Sequence, residues 1–327
     1  MSEPAPDNVR VFDRRTVRRH RDRAAAASIG GREGGGGDFL HREIAGRLVE
    51  RLDEVRRDFA NVLELGCHRG ALTGLLAGRS GVETLIAADL SPVCVALSTG
   101  RRKGAFGVVA DEEALPFEPG AFDLVISNLA LHWVNDVPGA LIQMRRALKP
   151  DGLLLAAFLG GATLAELREA LMAAELEIEG GASPRVSPFA DVRDAGALLQ
   201  RAGFALPVVD RDRISVSYDS ALDLMADLRA MAETNAVAER STRFTRRQTL
   251  LRAAALYQER FGAADGRIAA GFEVIYLTAW APDAAQPRPL APGSATGSLA
   301  DALGTQEIAA GDPTRPGPAD RGDKRQT

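Results

Sequence analysis

The chain has 327 residues, 46% of them hydrophobic and 26% charged, and a net charge of -4, which is material for one large globular domain with additions. The slightly acidic balance gives no overall attraction to nucleic acid, so no nucleic-acid partner is expected. Cys67 and Cys94 are the only cysteines, which excludes a disulfide-stapled module or a cysteine zinc site and fits a reducing compartment.

The N-terminal segment from Val11 to Ala27 carries Arg14, Arg15, Arg18, Arg19, Arg21 and Arg23 and ends in four alanines. It predicts a basic helix whose arginines form a solvated or domain-capping face, or meet an acidic partner. Gly30 to Gly37 holds six glycines in eight residues, the composition of a hinge. Residues 1–37 are therefore read as a basic helical extension with a glycine-rich hinge. From Asp38 to Arg57 the apolar residues Phe39, Leu40, Ile44, Leu48, Leu52 and Val55 recur at the spacing of an amphipathic helix.

Apolar strands and helices then alternate: strands at Asn61 to Leu65, Glu83 to Ala88, Phe106 to Val109, Phe122 to Ser127 and Gly152 to Phe158, with helices at Ala71 to Gly78, Pro92 to Thr99 and Val137 to Ala147. Such alternation predicts a parallel sheet covered by helices, with ligands at the carboxyl ends of the strands. Beyond Gly160 the sequence predicts helices at Thr163 to Glu179 and Asp191 to Ala202, and a strand at Ala205 to Asp210. Helices at Asp219 to Asn235 and Thr245 to Phe261 then precede a last strand at Gly271 to Trp280. The second pair forms an insertion ahead of the last strand, a natural lid. Residues 38–282 are read as one domain with insertions at 160–190 and 215–268, and residues 283–327 as a disordered tail rich in Pro, Gly, Ala, Asp and Thr. No stretch approaches the roughly 20 apolar residues of a membrane span, and Met1-Ser2-Glu3-Pro4 opens no signal peptide. A cytoplasmic protein is expected, with peripheral membrane contact left open.

The chemistry concentrates after the first strand, in Glu64-Leu65-Gly66-Cys67-His68-Arg69-Gly70. Gly66 permits a tight turn, and the missing Cβ at Gly66 and Gly70 lets a ligand approach the main chain. Dinucleotide folds want G-x-G-x-x-G, but His68 stands at the middle position and no Walker-type Gly-Lys-Ser/Thr follows. The turn therefore suits a nucleoside without phosphates. Asp89 closes the second strand, where a carboxylate can accept from both ribose hydroxyls, and Asp111 closes the third, where it can accept from the exocyclic amine of adenine. Each aspartate alone is equally an N-cap or loop residue; with the turn they form a set. Glu64 can face a cationic group, an α-amine or a sulfonium. Cys67 reads as a small filler, with no base beside it.

These residues resemble the seven-stranded, S-adenosylmethionine-dependent methyltransferases of class I. The resemblance spans Asn61 to Phe158 and includes Glu113-Ala114-Leu115-Pro116-Phe117 and Phe122 to Asn128. It implies a Rossmann-like α/β fold with an N-terminal helical extension, a helical insertion before the last strand, and S-adenosyl-L-methionine as cofactor. It implies that Glu64, Gly66, Cys67, His68 and Gly70 line the methionine moiety, Asp89 with Leu90 holds the ribose, Asp111 with Glu112 the adenine, and Asn128 a further wall. His68 departs from the family, which usually has glycine there. Asn128 to Asp136, Leu148-Lys149-Pro150-Asp151-Gly152 and Gly160 to Arg168 narrow the likeness to two branches. One is the biotin-pathway malonyl-acyl-carrier-protein methyltransferase, which esterifies a carboxylate. The other is the respiratory complex I assembly factor, a methyltransferase-like arginine hydroxylase. Val11 to Arg15, Ser183 to Phe189, Leu224 to Arg229 with Asn235, and Phe272 to Trp280 look more like the second. The partners implied are a complex I subunit or an acyl-carrier-linked substrate.

His132 and Trp133 follow the fourth strand. As functional residues, Trp133 walls the pocket and His132 acts as a base or orients substrate; as structural ones, Trp133 is core and His132 a satisfied neighbour. Methyl transfer to a carboxylate needs no base. His20, His41, His68 and His132 are the only histidines, and no metal site is assigned; the sole convergence considered is His68 with His132 and Asp89 or Glu64.

Overall fold

The computed structural model describes residues 10–29, 37–76, 79–100, 104–187, 192–287, 294 and 297–306. Met1–Ala284 forms one compact unit and Ala285–Thr327 a second. The first opens with α1 (Arg14–Ile29) and α2 (Phe39–Asp53), then β1 (Asn61–Leu65), α3 (Ala71–Leu76), β2 (Thr84–Asp89), α4 (Pro92–Gly100), β3 (Ala105–Val109) and β4 (Phe122–Asn128). A single 3-10 turn, Leu131–Trp133, leads to α5 (Val137–Ala147), β5 (Leu148–Leu159), α6 (Ala165–Glu179), α7 (Val192–Arg201), β6 (Ala205–Tyr218), α8 (Ala221–Ala230), α9 (Arg247–Phe261) and β7 (Ile268–Trp280).

The seven strands form one sheet in the order β3-β2-β1-β4-β5-β7-β6. Strict alternation along the central strands sends their side chains to two cores. Leu124 and Ile126 of β4 and Leu153, Leu155 and Ala157 of β5 join the layer under α2, α6, α8 and α9. Val125, Leu154, Ala156 and Phe158 join the opposite layer, with Leu141 and Met144 of α5 and Leu199 of α7. Both faces are therefore covered, as expected of a parallel sheet. The chain runs β1, β2, β3 to one side and then returns to β4 on the other, so the switch point lies between β1 and β4, where such folds bind ligands.

The last two strands lie beyond the alternating segments from which a parallel sheet was expected. β7 runs antiparallel to both β5 and β6. Tyr218 at the end of β6 pairs with Ile268 at the start of β7, so the chain leaves and re-enters the sheet at one edge position. A return beside its own end can only be antiparallel. The expected insertion is the excursion between them, carrying α8 and α9.

Of the hinge, only Gly37 lies within the described residues, and Pro188 and Phe189 lie outside them. In the second unit, α10 (Leu299–Leu303) is capped by Ser298, whose side chain accepts from the Asp301 N–H. Among the described residues no helix is long and apolar enough to cross a membrane.

Candidate active site

The turn after β1 is fixed by backbone and packing together. Gly66 has φ +74°, and a Cβ there would lie 2.2 Å from the Ala130 Cβ; the Gly66 and Cys67 N–H groups donate to the Ala88 carbonyl at 2.8 and 3.1 Å. His68 has φ +46° and Gly70 φ +76°. His68 thus holds a left-handed conformation that glycine adopts freely and other residues hold at a cost of about 1 kcal/mol or more. Its backbone is retained by Asp89, whose Oδ2 accepts the His68 N–H at 3.0 Å while Oδ1 accepts that of Ser91 at 2.8 Å.

The structure brings the predicted carboxylates together and sets two arginines of the N-terminal helix among them. Asp89 and Glu112 are both completely buried. The Arg21 guanidinium lies between them, Nη1 donating to Asp89 Oδ1 at 3.2 Å and to Glu112 Oε1 at 2.9 Å. Arg14 Nη2 donates to Asp111 Oδ1 at 2.7 Å and also to Glu112 Oε2, while its Nη1 donates to the Trp133 carbonyl at 3.0 Å. α1 therefore lies across the strand ends with two arginines in the acidic seat. Of the expected alternatives, Arg15, Arg18 and Arg19 are solvent-exposed, whereas Arg14 and Arg21 cap the domain on acidic partners of the same chain. A stripe at helical spacing, Arg14, Val17, Arg21, Ala24 and Ala25, signalled it: Val17, Arg21, Ala24 and Ala25 are all buried. Burial by itself would raise the Glu112 carboxyl, but the charges of Arg21 and Arg14 outweigh it and hold Glu112 down at about 2.

Glu64 is buried and accepts from the Thr73 hydroxyl. Burial pushes its carboxyl up to about 8. With Gly66, Cys67, His68, Arg69, His41, Asp38 and Asn128 it lines a small cavity beside the turn. Cys67 is 2% exposed, and burial raises its thiol well above the usual range, which suits a filler rather than a nucleophile. Asn128 donates from Nδ2 to the His41 carbonyl at 2.8 Å. Leu90 packs with Phe12, Val17 and Trp133, away from the turn itself.

His132 and Trp133 sit side by side and share one partner that the sequence did not reveal, Glu233. His132 Nε2 is 2.9 Å from Glu233 Oε2, and Trp133 Nε1 donates to the same oxygen at 3.2 Å. The Leu159 N–H lies 3.5 Å from His132 Nδ1, which leaves Nε2 as the donor to Glu233. Glu233 belongs to the segment after α8, within the insertion. That segment is clasped to the N-terminus: Phe12 bridges Val237, the Asp13 N–H donates to the Ala236 carbonyl at 2.8 Å, and the Phe12 and Trp133 rings meet edge-on at 5.5 Å. His68 converges with His41, not with His132 as considered from the sequence; the two rings are 4.2 Å apart. His132 stands behind Glu233.

A glycine turn at the switch point of this sheet, with carboxylates closing the next two strands, is the arrangement of the Rossmann-like methyltransferase class, whose antiparallel seventh strand is also present. A family profile described as a methyltransferase domain matches residues 63–156. The chain is 41% identical over 291 residues to the protein named arginine-hydroxylase NDUFAF5, mitochondrial, of Danio rerio, covering 89% of each chain. It is 38% identical to the malonyl-[acyl-carrier protein] O-methyltransferase of Laribacter hongkongensis, covering 84% of this chain and 92% of that one. Among solved structures, the YcgJ protein of Bacillus subtilis superposes with a TM-score of 0.50 at 17% identity, over 72% of this chain and 98% of that one, a likeness of fold alone. The chain belongs to this methyltransferase family and is an enzyme of that class.

Proposed function

We propose that the chain binds S-adenosyl-L-methionine at the turn Gly66 to Gly70 and the carboxylates Asp89, Asp111 and Glu112, and acts on an arginine of a protein partner, a subunit of respiratory complex I. The residues fit the cofactor in chemistry. Asp89 would accept from the ribose hydroxyls and Asp111 and Glu112 from the adenine amine, the glycines of the turn admit a close ligand, and Glu64 faces the cationic end. Two guanidiniums held by these carboxylates support the reading that the seat takes cationic, hydrogen-bond-donating groups. When bound, the cofactor supplies an electrophilic methyl group on a sulfonium. This chain's residues orient it: Asp89 and the turn fix the two ends, and Trp133, packed by Phe12, screens the seat from water.

The acceptor reading rests on one observation, the 41% identity over 291 residues to a relative named as an arginine hydroxylase. An acyl-carrier substrate, suggested by the malonyl-acyl-carrier relatives, is the second reading. The protein acts in the cytoplasm, at the face of the membrane that holds the complex. The test is to incubate the full chain with labelled cofactor and an extract of a strain lacking it, then to map the mass gained on the product by peptide mass spectrometry. Label on a complex I arginine, or an added oxygen there, supports the proposal; label confined to acyl carrier protein supports the second reading and overturns the first.

A further inference from the structure

Beside the acidic seat, and sharing His68 with the turn, lies a group whose joint chemistry neither methyl transfer nor cofactor binding requires. His41 of α2, His68 of the turn and Glu233 of the insertion each present a ligand atom, and these atoms lie within 4.8 Å of one another. All three residues are buried. Nε2 of His41, Nε2 of His68 and Oε1 of Glu233 have no hydrogen-bond partner among the described residues. Three orphaned buried polar atoms at one place are costly unless something joins them, since each forfeits its hydration. We propose that His41, His68 and Glu233 form a binding site for one divalent transition-metal ion of the iron(II) or zinc(II) type.

Four features of the surroundings argue for this. Two imidazoles and one carboxylate are the donor set that suits iron(II) and zinc(II) and leaves coordination positions open, whereas magnesium and calcium want oxygen ligands. Burial keeps both imidazoles neutral, the form that ligates: His41 is brought down to about 4 and His68 further below its usual value, with the neighbouring histidine and Arg21 adding to the effect at His68. Glu233 remains a carboxylate; burial would raise it, but His132, His41 and the Trp133 N–H outweigh that. Its Oε2 is held by His132 and Trp133, so Oε1 is the oxygen left to coordinate, the supporting arrangement expected around a metal carboxylate. Finally, His68 maintains a left-handed backbone at φ +46°, a strained placement that a site requiring its imidazole explains. Ligand atoms at right angles on bonds of about 2.1 Å stand about 3 Å apart, so loading draws the three donors inward by side-chain rotation.

The site shares His68 with the turn assigned to the cofactor, so its test is run without cofactor. The full chain is stripped with a chelator and titrated with cobalt(II), followed by visible absorption, with iron(II) under anaerobic conditions, zinc(II) and magnesium(II) as competitors. The expected result is saturation at one cobalt per chain, displacement by iron or zinc, and none by magnesium. His68→Gly, which removes the imidazole and relieves the backbone, and Glu233→Gln are each expected to weaken binding by about a hundredfold with unchanged far-ultraviolet circular dichroism. His132→Gln, which acts only through Glu233, is expected to weaken it by about tenfold. Displacement by iron alone assigns iron and by zinc alone zinc. No stoichiometric binding to the wild-type chain, equal competition by magnesium, or folded His68→Gly and Glu233→Gln variants that bind as tightly as wild type would each overturn the proposal. Should a variant fail to fold, the wild-type titration still decides.

Discussion

Arg21 and Asp89, sixty-eight positions apart in the chain, meet inside the protein with Nη1 3.2 Å from Oδ1 and both side chains almost wholly out of water. A carboxylate expected to hold a ribose is thus engaged by a guanidinium of the same chain. On the proposed reading an adenosyl ligand and Arg21 would compete for that oxygen, and α1 would yield when the ligand enters. Arg21→Gln is therefore expected to bind S-adenosylmethionine more tightly than wild type. It should also melt lower without it, because a buried pair that loses one partner leaves an uncompensated charge worth about 3–5 kcal/mol. Calorimetry and thermal denaturation with and without cofactor measure both; equal affinity in the two proteins would show that α1 does not stand in the ligand's way.

Asp89 itself is expected to dominate cofactor affinity. Two hydrogen bonds from ribose hydroxyls to a buried carboxylate contribute on the order of 3 kcal/mol or more, so Asp89→Asn should weaken binding about a hundredfold. Titration calorimetry that finds the affinity unchanged removes Asp89 from the ribose.

Gly66 and Gly74 make a contrasting pair. A methyl at Gly66 would meet the Ala130 Cβ at 2.2 Å in a left-handed backbone, whereas one at Gly74, inside α3, meets nothing within 4 Å. Gly66→Ala should cost about 2–4 kcal/mol, from backbone strain and overpacking. Gly74→Ala should gain about 0.5–1 kcal/mol from helix propensity. Chemical denaturation of the two variants tests the sign difference.

Two buried carboxylates pull stability in opposite directions with pH. Glu112, held at about 2, keeps its proton off in the folded chain while the unfolded chain takes one up near the usual value of 4.5. Its contribution is present above 4.5 and fades as pH falls toward 2. Glu64, raised to about 8, is protonated in the folded chain where the unfolded chain is ionised, so the folded state binds more protons and stability falls as pH rises from 4.5 to 8. Glu64→Gln should flatten the upper slope and leave the acid limb intact, as read from urea denaturation across that range. An unaltered slope would mean that Glu64 is ionised in the fold.

The central sheet was legible because β1, β4 and β5 carry nearly unbroken apolar runs bounded by turn residues, and because carboxylates at strand ends recur at the spacing of a nucleoside seat. The direction of β7 was not legible, since an apolar strand reads the same either way and only its pairing with β6 orients it. Which arginine would be buried was not legible for a related reason: a basic stripe does not name its acidic partner, and Asp89 and Glu112 reach Arg21 only through the packing of α1. His41 sits beside Leu40 on a stripe that periodicity assigns to core, and it is in fact buried there. Glu233 enters from 192 positions further along the chain, supplied by an insertion whose length was apparent and whose docking was not. The metal-ligand geometry therefore has no linear motif; it exists only once three separate elements close.

The bridge between Phe12 and Val237 carries a consequence for how the protein can be altered. Because the segment before α1 and the segment bearing Glu233 lock onto each other and onto Trp133, they behave as a two-handed clasp, and neither hand grips alone. Trimming the chain past Phe12, or attaching a bulky tag close ahead of it, is thus an intervention on the far-off Glu233.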